Sequence, residues 1–214
     1  MEEMSDVVVS VVGGEETATA NEPHGVAWAG DYGVAWAGAL GTAVAGYQGK
    51  AVVGDNGTAI VGTGGFATGG ERATASAGAY GISIVGNCGN SVVGNNGNAT
   101  AGDGGVAVAG AYGTAKVGNG GTATAGYCGI AIGKDRATVV VGDYGVAQVG
   151  EGGKAAAGKM GVISYWKYDG NRPRLITFYV GEDGIEPNVK YTLDEAQAQR
   201  VAAESSCAGG DTNG

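Results

Sequence analysis

The chain is short of the residues that disulfide-stapled, membrane-spanning and most catalytic proteins depend on. Its 214 residues include three cysteines, three prolines, two phenylalanines and one histidine, and only 15% of residues are charged. Three cysteines do not make a disulfide framework. No apolar run approaches the roughly 18 residues of a membrane span. A single histidine, His24, has no second imidazole with which to share a metal and no nucleophile to activate, so a local turn role beside Pro23 is expected. Met1-Glu2-Glu3-Met4 lacks the basic start of a secretory signal, which makes the cytoplasm the expected location. The net charge of -9 opposes direct binding to nucleic acid or to an anionic membrane and favours a basic protein surface as partner.

Glycine is what the chain has in excess. There are 46 glycines, and one recurs every eight residues from Gly25 to Gly161, broken only by Ala73 and Ala137. Each octad reads glycine, variable, alanine, variable, alanine or valine, glycine and two further residues, as in Gly41-Thr42-Ala43-Val44-Ala45-Gly46-Tyr47-Gln48. The third position is Ala or Ser in every octad but the one holding Val139, and the fifth is only Ala, Val or Gly. The second and fourth positions accept Trp, Lys, Thr, Asn, Gln, Ile and Phe. Size is thus restricted on alternate residues, as in a strand with one face packed inward. The octad is predicted to be a short strand plus a tight turn, with its flanking glycines serving corners that need positive φ or close backbone approach.

Alternate octads share an environment. Tyr32, Tyr47, Tyr80, Tyr112, Tyr127 and Tyr144 fall on corners of one parity. Corners of the other parity carry Asp55, Glu71, Asn87, Asp103, Asn119, Asp135 and Glu151 at one equivalent position, with Ala39 the exception. The expected fold is therefore all-β: a parallel β-solenoid or β-roll with two strands and about sixteen residues per coil. Roughly nine coils at ~4.8 Å each make a rod ~40 Å long. A β-meander is the alternative, because Asp55-Asn56-Gly57 and Asn95-Asn96-Gly97 are also hairpin-turn signals.

Four segments follow from the pattern: an N-terminal cap with an irregular first repeat (1–24), the octapeptide solenoid (25–161), a C-terminal cap unit (162–204) and a flexible tail (205–214). In the first, Val7 to Val12 is a β-rich run, and Glu16 to Ala20 resembles an octad displaced by one residue. In the third, Ile163–Tyr168, Leu175–Val180 and Val189–Leu193 read as strands, and Asp194 reads as the N-cap of a helix from Glu195 to Glu204. Such a unit closes the end of a solenoid against water and edge-to-edge pairing. Cys88 and Cys128, five octads apart, are predicted to lie on opposite edges and to stay free thiols, with Cys207 in the tail.

The Gly-x-Ala-x-Ala/Val-Gly strands with two-residue corners resemble the head repeats of trimeric autotransporter adhesins of the YadA type, which are left-handed parallel β-rolls. The repeats together with Tyr179-Val180-Gly181-Glu182-Asp183-Gly184-Ile185-Glu186-Pro187-Asn188 are similar to Ala/Gly octapeptide proteins of bacterial and prophage genomes. The resemblance covers about residues 25–193. It implies the roll fold and a bacterial host cytoplasm, and brings no activity with it.

No enzyme, cofactor or metal site is expected. Gly-x-Gly-x-x-Ala at Gly62, Gly102, Gly118 and Gly150 arises from the repeat wherever a corner contains glycine, and no helix follows. The Gly-Lys pairs, such as Gly133-Lys134, lack the Ser/Thr of a phosphate loop. Stacked carboxylates of the acidic column are either a calcium ladder or solvated Asx corners. Two corners depart together, Gly69-Gly70-Glu71-Arg72-Ala73 and Gly133-Lys134-Asp135-Arg136-Ala137, through internal duplication or as paired docking points. Trp28, Trp36, Val44, Val52, Ile60, Phe66, Ile82, Ile84, Val92, Val108, Ile130, Ile132 and Val140 point outward, and rows of this extent mark an interface. The expected partners are a second or third copy of the chain, and an unidentified protein met by the tyrosine edge or the caps. Three functions compete: a non-catalytic interaction module, such as a phage-derived inhibitor of a host protein; a structural rod or adhesin-like head; and an ice- or surface-templating array built on Thr42, Thr58, Thr74, Thr122 and Thr138.

Overall fold

Small residues at alternate positions allow two sheets to close on each other with only methyl and isopropyl groups between them. The computed structural model describes residues 8–208, and the octads form a parallel β-solenoid of two stacked sheets, one of ten strands and one of eleven. Successive octads alternate between the sheets, so a strand pairs with the strand two octads later. From residue 26 to residue 154 every partner in the ten-stranded sheet is sixteen positions away, as in Thr42 with Thr58, Thr58 with Thr74 and Thr122 with Thr138. The solenoid strands pair in parallel throughout, which excludes the meander. Ala27, Ala43, Ala59, Ala75, Ala107 and Ala123 are completely buried between the sheets. Ser83 and Ser91 replace alanine there and satisfy themselves across the interior, Ser91 Oγ lying 2.8 Å from the Ser83 carbonyl and Ser83 Oγ 2.8 Å from that of Ala75.

The corners differ from expectation in which residue is left-handed. Positive φ falls on the second residue between the glycines: Tyr32 (59°), Cys88 (56°), Arg136 (56°) and Gly64 (70°). Its N–H donates to the first corner residue of the next coil, as Tyr32 does to the Tyr47 carbonyl (2.8 Å) and Cys88 to that of Asp103 (2.8 Å). The flanking glycines serve close approach alone. A Cβ on Gly57 would lie 2.7 Å from Val53 Cβ and 3.0 Å from the Gly41 carbonyl oxygen.

At the N-terminal end the displaced octad is real. Val9 pairs with Val26 and Thr17 with Val34, an offset one larger than elsewhere, and the extra residue lies in the corner Asn21–Gly25. His24 is that corner's left-handed residue (φ 63°), with its N–H on the Ala39 carbonyl at 3.0 Å. Val7 lies outside the described residues.

The C-terminal unit departs from the predicted boundaries. The strand Val162–Tyr168 continues the solenoid in register, Val146 with Val162 and Val149 with Tyr165, before Pro173–Tyr179 folds back on it antiparallel. The third predicted strand is reduced to one bridge, Ala155 with Tyr191, which closes the ten-stranded sheet. Two backbone hydrogen bonds of 2.9 Å hold it, and the Tyr165 hydroxyl, buried, donates to the Tyr191 carbonyl at 2.7 Å. The helix runs Leu193–Ala208, longer than predicted at both ends and reaching into the segment read as a flexible tail. Its N-cap is Thr192 rather than Asp194. Glu195 reaches back to the Thr192 N–H (2.7 Å) and hydroxyl (3.0 Å), a reciprocal capping box. Arg200 ties the helix to the hairpin, stacking over Phe178 at 4.3 Å and bonding Asp183 at 2.7 Å. The Cys207 side chain and residues 209–214 lie outside the described residues.

Candidate interaction surfaces

Because the coil has two strands and two corners, the rod offers four long surfaces: two edges and two outer sheet faces. The six tyrosines share one edge. Tyr32, Tyr80, Tyr112 and Tyr144 occupy the left-handed corner position, while Tyr47 and Tyr127 precede it. Tyr32, Tyr112 and Tyr144 each stand beside a tyrosine of the second kind on an adjacent coil. Tyr32 meets Tyr47 edge-on at 5.6 Å, and Tyr127 meets both Tyr112 (5.7 Å) and Tyr144 (5.6 Å). Tyr80 stands between the two groups and is 68% exposed. Cys128 follows Tyr127 on this edge and Cys88 lies on the other, both free thiols.

The opposite edge carries Asp55, Glu71, Arg72, Asp103, Asp135, Arg136 and Glu151. Its Asx side chains are backbone acceptors. Where an Asp or Asn stands first in a corner, its side-chain oxygen can accept the N–H of the first corner residue one coil later. Asp55 Oδ1 accepts from Glu71 N–H (2.8 Å), Asn87 from Asp103 (2.9 Å), Asp103 from Asn119 (2.7 Å) and Asp135 from Glu151 (3.0 Å). The tyrosine edge uses the same device at Asp31, Asn95 and Asp143. Asn serves as well as Asp, which explains why the column mixes the two. Among the described residues, no group of three or more His, Cys, Asp or Glu is placed to hold a metal ion.

The outward residues that the sequence groups together are divided between two faces. Trp28, Val44, Ile60, Val92, Val108 and Val140 form one column of the ten-stranded sheet, interrupted by Ser76 and Thr124, beside the tyrosine edge. Thr42, Thr58, Thr74, Thr122 and Thr138 form the other column, interrupted by Asn90 and Val106. Trp36, Val52, Phe66, Ile82, Ile84, Ile130 and Ile132 lie on the eleven-stranded sheet, interspersed with Lys50 and Lys116. Lys50 Nζ rests near the rings of both Trp36 (5.6 Å) and Phe66 (5.9 Å). Trp28 and Trp36 therefore belong to opposite faces.

A cleft of about 320 Å³ at the C-terminal end is lined by Glu151, Trp166, Lys167 and Asp194 among others. Tyr165 lies at its base, where burial pushes its phenol well above the usual tyrosine range and its hydroxyl is committed to the Tyr191 carbonyl. Among the described residues no helix is long and apolar enough to cross a membrane.

The family described as Domain of unknown function (DUF4774) matches residues 17–71, the first part of the coil array. No curated protein and no solved structure matches the chain.

Proposed function

We propose that the chain is a non-catalytic protein–protein interaction rod that self-associates through an outer apolar face and offers its tyrosine edge to a partner protein. The observation that carries this reading is the tyrosine edge itself, where six phenols stand 43–68% exposed with three edge-on contacts already made. Prepaid stacking lowers the side-chain entropy lost on binding, and tyrosine is a frequent interface anchor. The interior is filled by alanine and valine and the corner oxygens by backbone N–H groups, so the recognition chemistry lies on the outside. With the resemblance to prophage octapeptide proteins, the reading extends to an inhibitor that occupies a protein of a bacterial host cytoplasm. The net charge of -9 favours a basic surface on that partner.

The test compares proteins retained from a bacterial lysate by the wild-type chain and by a chain carrying Tyr80→Ser, Tyr112→Ser, Tyr127→Ser and Tyr144→Ser. These side chains lie outside the Ala-filled interior, so the coil is expected to stay folded in the variant, with at most a small drop in melting temperature from the lost ring contacts. A retained species lost only in the variant is the expected result. Identical retention by both would remove the tyrosine edge from the proposal.

A further inference from the structure

The two outer faces differ in charge, and that difference selects one of them for self-association. The first eight full strands of the ten-stranded face, from Val26–Ala29 to Thr138–Val141, present no ionisable side chain outward; charge appears only at Lys154 in the last strand. Their outward residues are Val, Ile, Trp, Thr, Ser and Asn alone. In a chain of net charge -9, a long surface without charge is the one place where two copies approach without repulsion or desolvation of ions. The eleven-stranded face is as apolar but carries Lys50 and Lys116 and no carboxylate. Closing that face on its own copy would bury ammonium groups with no acidic partner opposite.

Size is adequate. Eight uncharged strands at ~4.8 Å by four residues at ~3.3 Å give about 500 Å² per copy, hence about 1,000 Å² in a pair, the smallest area expected of a specific interface. Orientation follows from the two columns. A two-fold axis along the rod would set the Trp28–Val140 column against the threonine column and bury hydroxyls on hydrocarbon. An axis along the strands sets the mainly apolar column on its own copy and the mainly threonine column on its own copy, with the rods antiparallel. A three-fold ring would need a second, different surface on every copy.

We infer that two copies of this chain pack through their ten-stranded faces, rods antiparallel, bringing their tyrosine edges side by side along one flank of the dimer. This rests on the reading of the chain as a self-associating rod. The test is sedimentation of the full chain and of two variants at matched positions: Val92→Lys on the ten-stranded face, 39% exposed, and Ile84→Lys on the eleven-stranded face, 37% exposed. The expected result is a dimer for wild type and Ile84→Lys, and a monomer for Val92→Lys, whose two-fold repetition weakens association by about 100-fold or more. Thermal unfolding of both variants shows whether the coil is intact. A separate Thr42→Cys variant, with Cys88, Cys128 and Cys207 changed to Ser, is expected to keep its thiol free under oxidation, because the antiparallel pair holds the two sites apart. Association lost in Ile84→Lys but kept in Val92→Lys overturns this face while leaving self-association standing. A wild-type monomer overturns both, and a disulfide-linked Thr42→Cys dimer overturns the antiparallel arrangement.

Discussion

Ala73 places its methyl in the space that a side chain on Gly69 would need. In the ordinary octad the fifth residue carries the methyl and the glycine four residues later gives way: a Cβ on Gly49 would lie 2.6 Å from Ala45 Cβ, and one on Gly81 2.6 Å from Ala77 Cβ. At Gly69 and Ala73 the two roles are exchanged, and Ala73 is fully buried. Each corner has room for one Cβ, whichever residue supplies it. Gly69→Ala is expected to destabilise by ~1–3 kcal/mol through overpacking. Ala73→Gly is expected to cost ~1–2 kcal/mol through the lost methyl and added chain freedom. The double exchange restores the ordinary octad and should return to within ~1 kcal/mol of wild type, a coupling that urea denaturation of the four proteins reads directly.

The second departing corner follows the same rule and adds a third exception. A Cβ on Gly133 would lie 2.5 Å from Ala137 Cβ and 2.9 Å from Val139 Cγ2. Val139 is the one residue larger than serine at its octad position, and it leans into the room that Gly133 leaves. Exchanging Gly133 and Ala137 should therefore remain destabilising by ~1–3 kcal/mol, because Val139 still fills the site. Packing accounts for the exchange of glycine and alanine at both corners.

The corner oxygens make a prediction that separates geometry from charge. Asp55 Oδ1 accepts the Glu71 N–H, and a Cβ on the intervening Gly70 would collide with that oxygen. Asp55→Asn keeps an acceptor and should leave stability within ~0.5 kcal/mol of wild type. Asp55→Ala strands the N–H and should cost ~1 kcal/mol. Thermal melts at low and high salt are expected to rank the variants identically, since the contact requires an oxygen rather than a charge.

Leu40 shows what the corner conformation costs a side chain that gains nothing from it. It holds φ 58° and is half exposed. A left-handed L-residue is disfavoured by ~1–2 kcal/mol, and asparagine tolerates the region best among non-glycine residues. Asn56 and Asn96 already occupy equivalent corners. Leu40→Asn is expected to stabilise the chain by ~0.5–1 kcal/mol in denaturant titration, with no change in oligomeric state.

Periodicity made the coil legible because a closed sheet pair constrains every eighth residue in the same way. Parity of Tyr32 and Asp55 made the two edges legible, since strands sixteen residues apart pair in one sheet and corners eight residues apart therefore fall on opposite edges. The assignment of positive φ was not readable: any residue that bears the strain serves, so Tyr32, Cys88 and Arg136 carry no common signature. The exchange at Gly69 and Ala73 was visible as a break in rhythm, but its cause is a distance across the corner. Trp28 and Trp36 read alike in sequence, eight residues apart, and only the alternation of sheets sends them to opposite faces. At the C-terminal end Val189–Leu193 has strand composition, yet the ten-stranded sheet has one position left to close, at Ala155.

The helix cap supplies a pH dependence whose sign is set by Glu195. The N–H and hydroxyl of Thr192 hold its carboxyl below the usual range, and Lys154 adds to this. A folded-state value below the unfolded one means that the charged form stabilises the cap. This contribution is complete above the unfolded value of ~4.3 and is lost as pH falls through the lower folded value. Asp169 behaves in the same sense, its carboxyl lowered by the N–H groups of Arg172 and Asn171 and by the Arg174 guanidinium. Between pH 5 and pH 3, the expected outcome is local loosening of the C-terminal unit while the Ala-filled coils stay closed. Hydrogen exchange should show loss of protection at the Thr192 and Ala196 amides before those of Thr58 and Thr122, which lie in the coil ladder. Glu195→Gln keeps an oxygen but not the titrating charge, and should flatten that pH dependence at the helix start. A simultaneous loss of protection in coil and cap would show that the two unfold as one unit and that Glu195 does not govern the end.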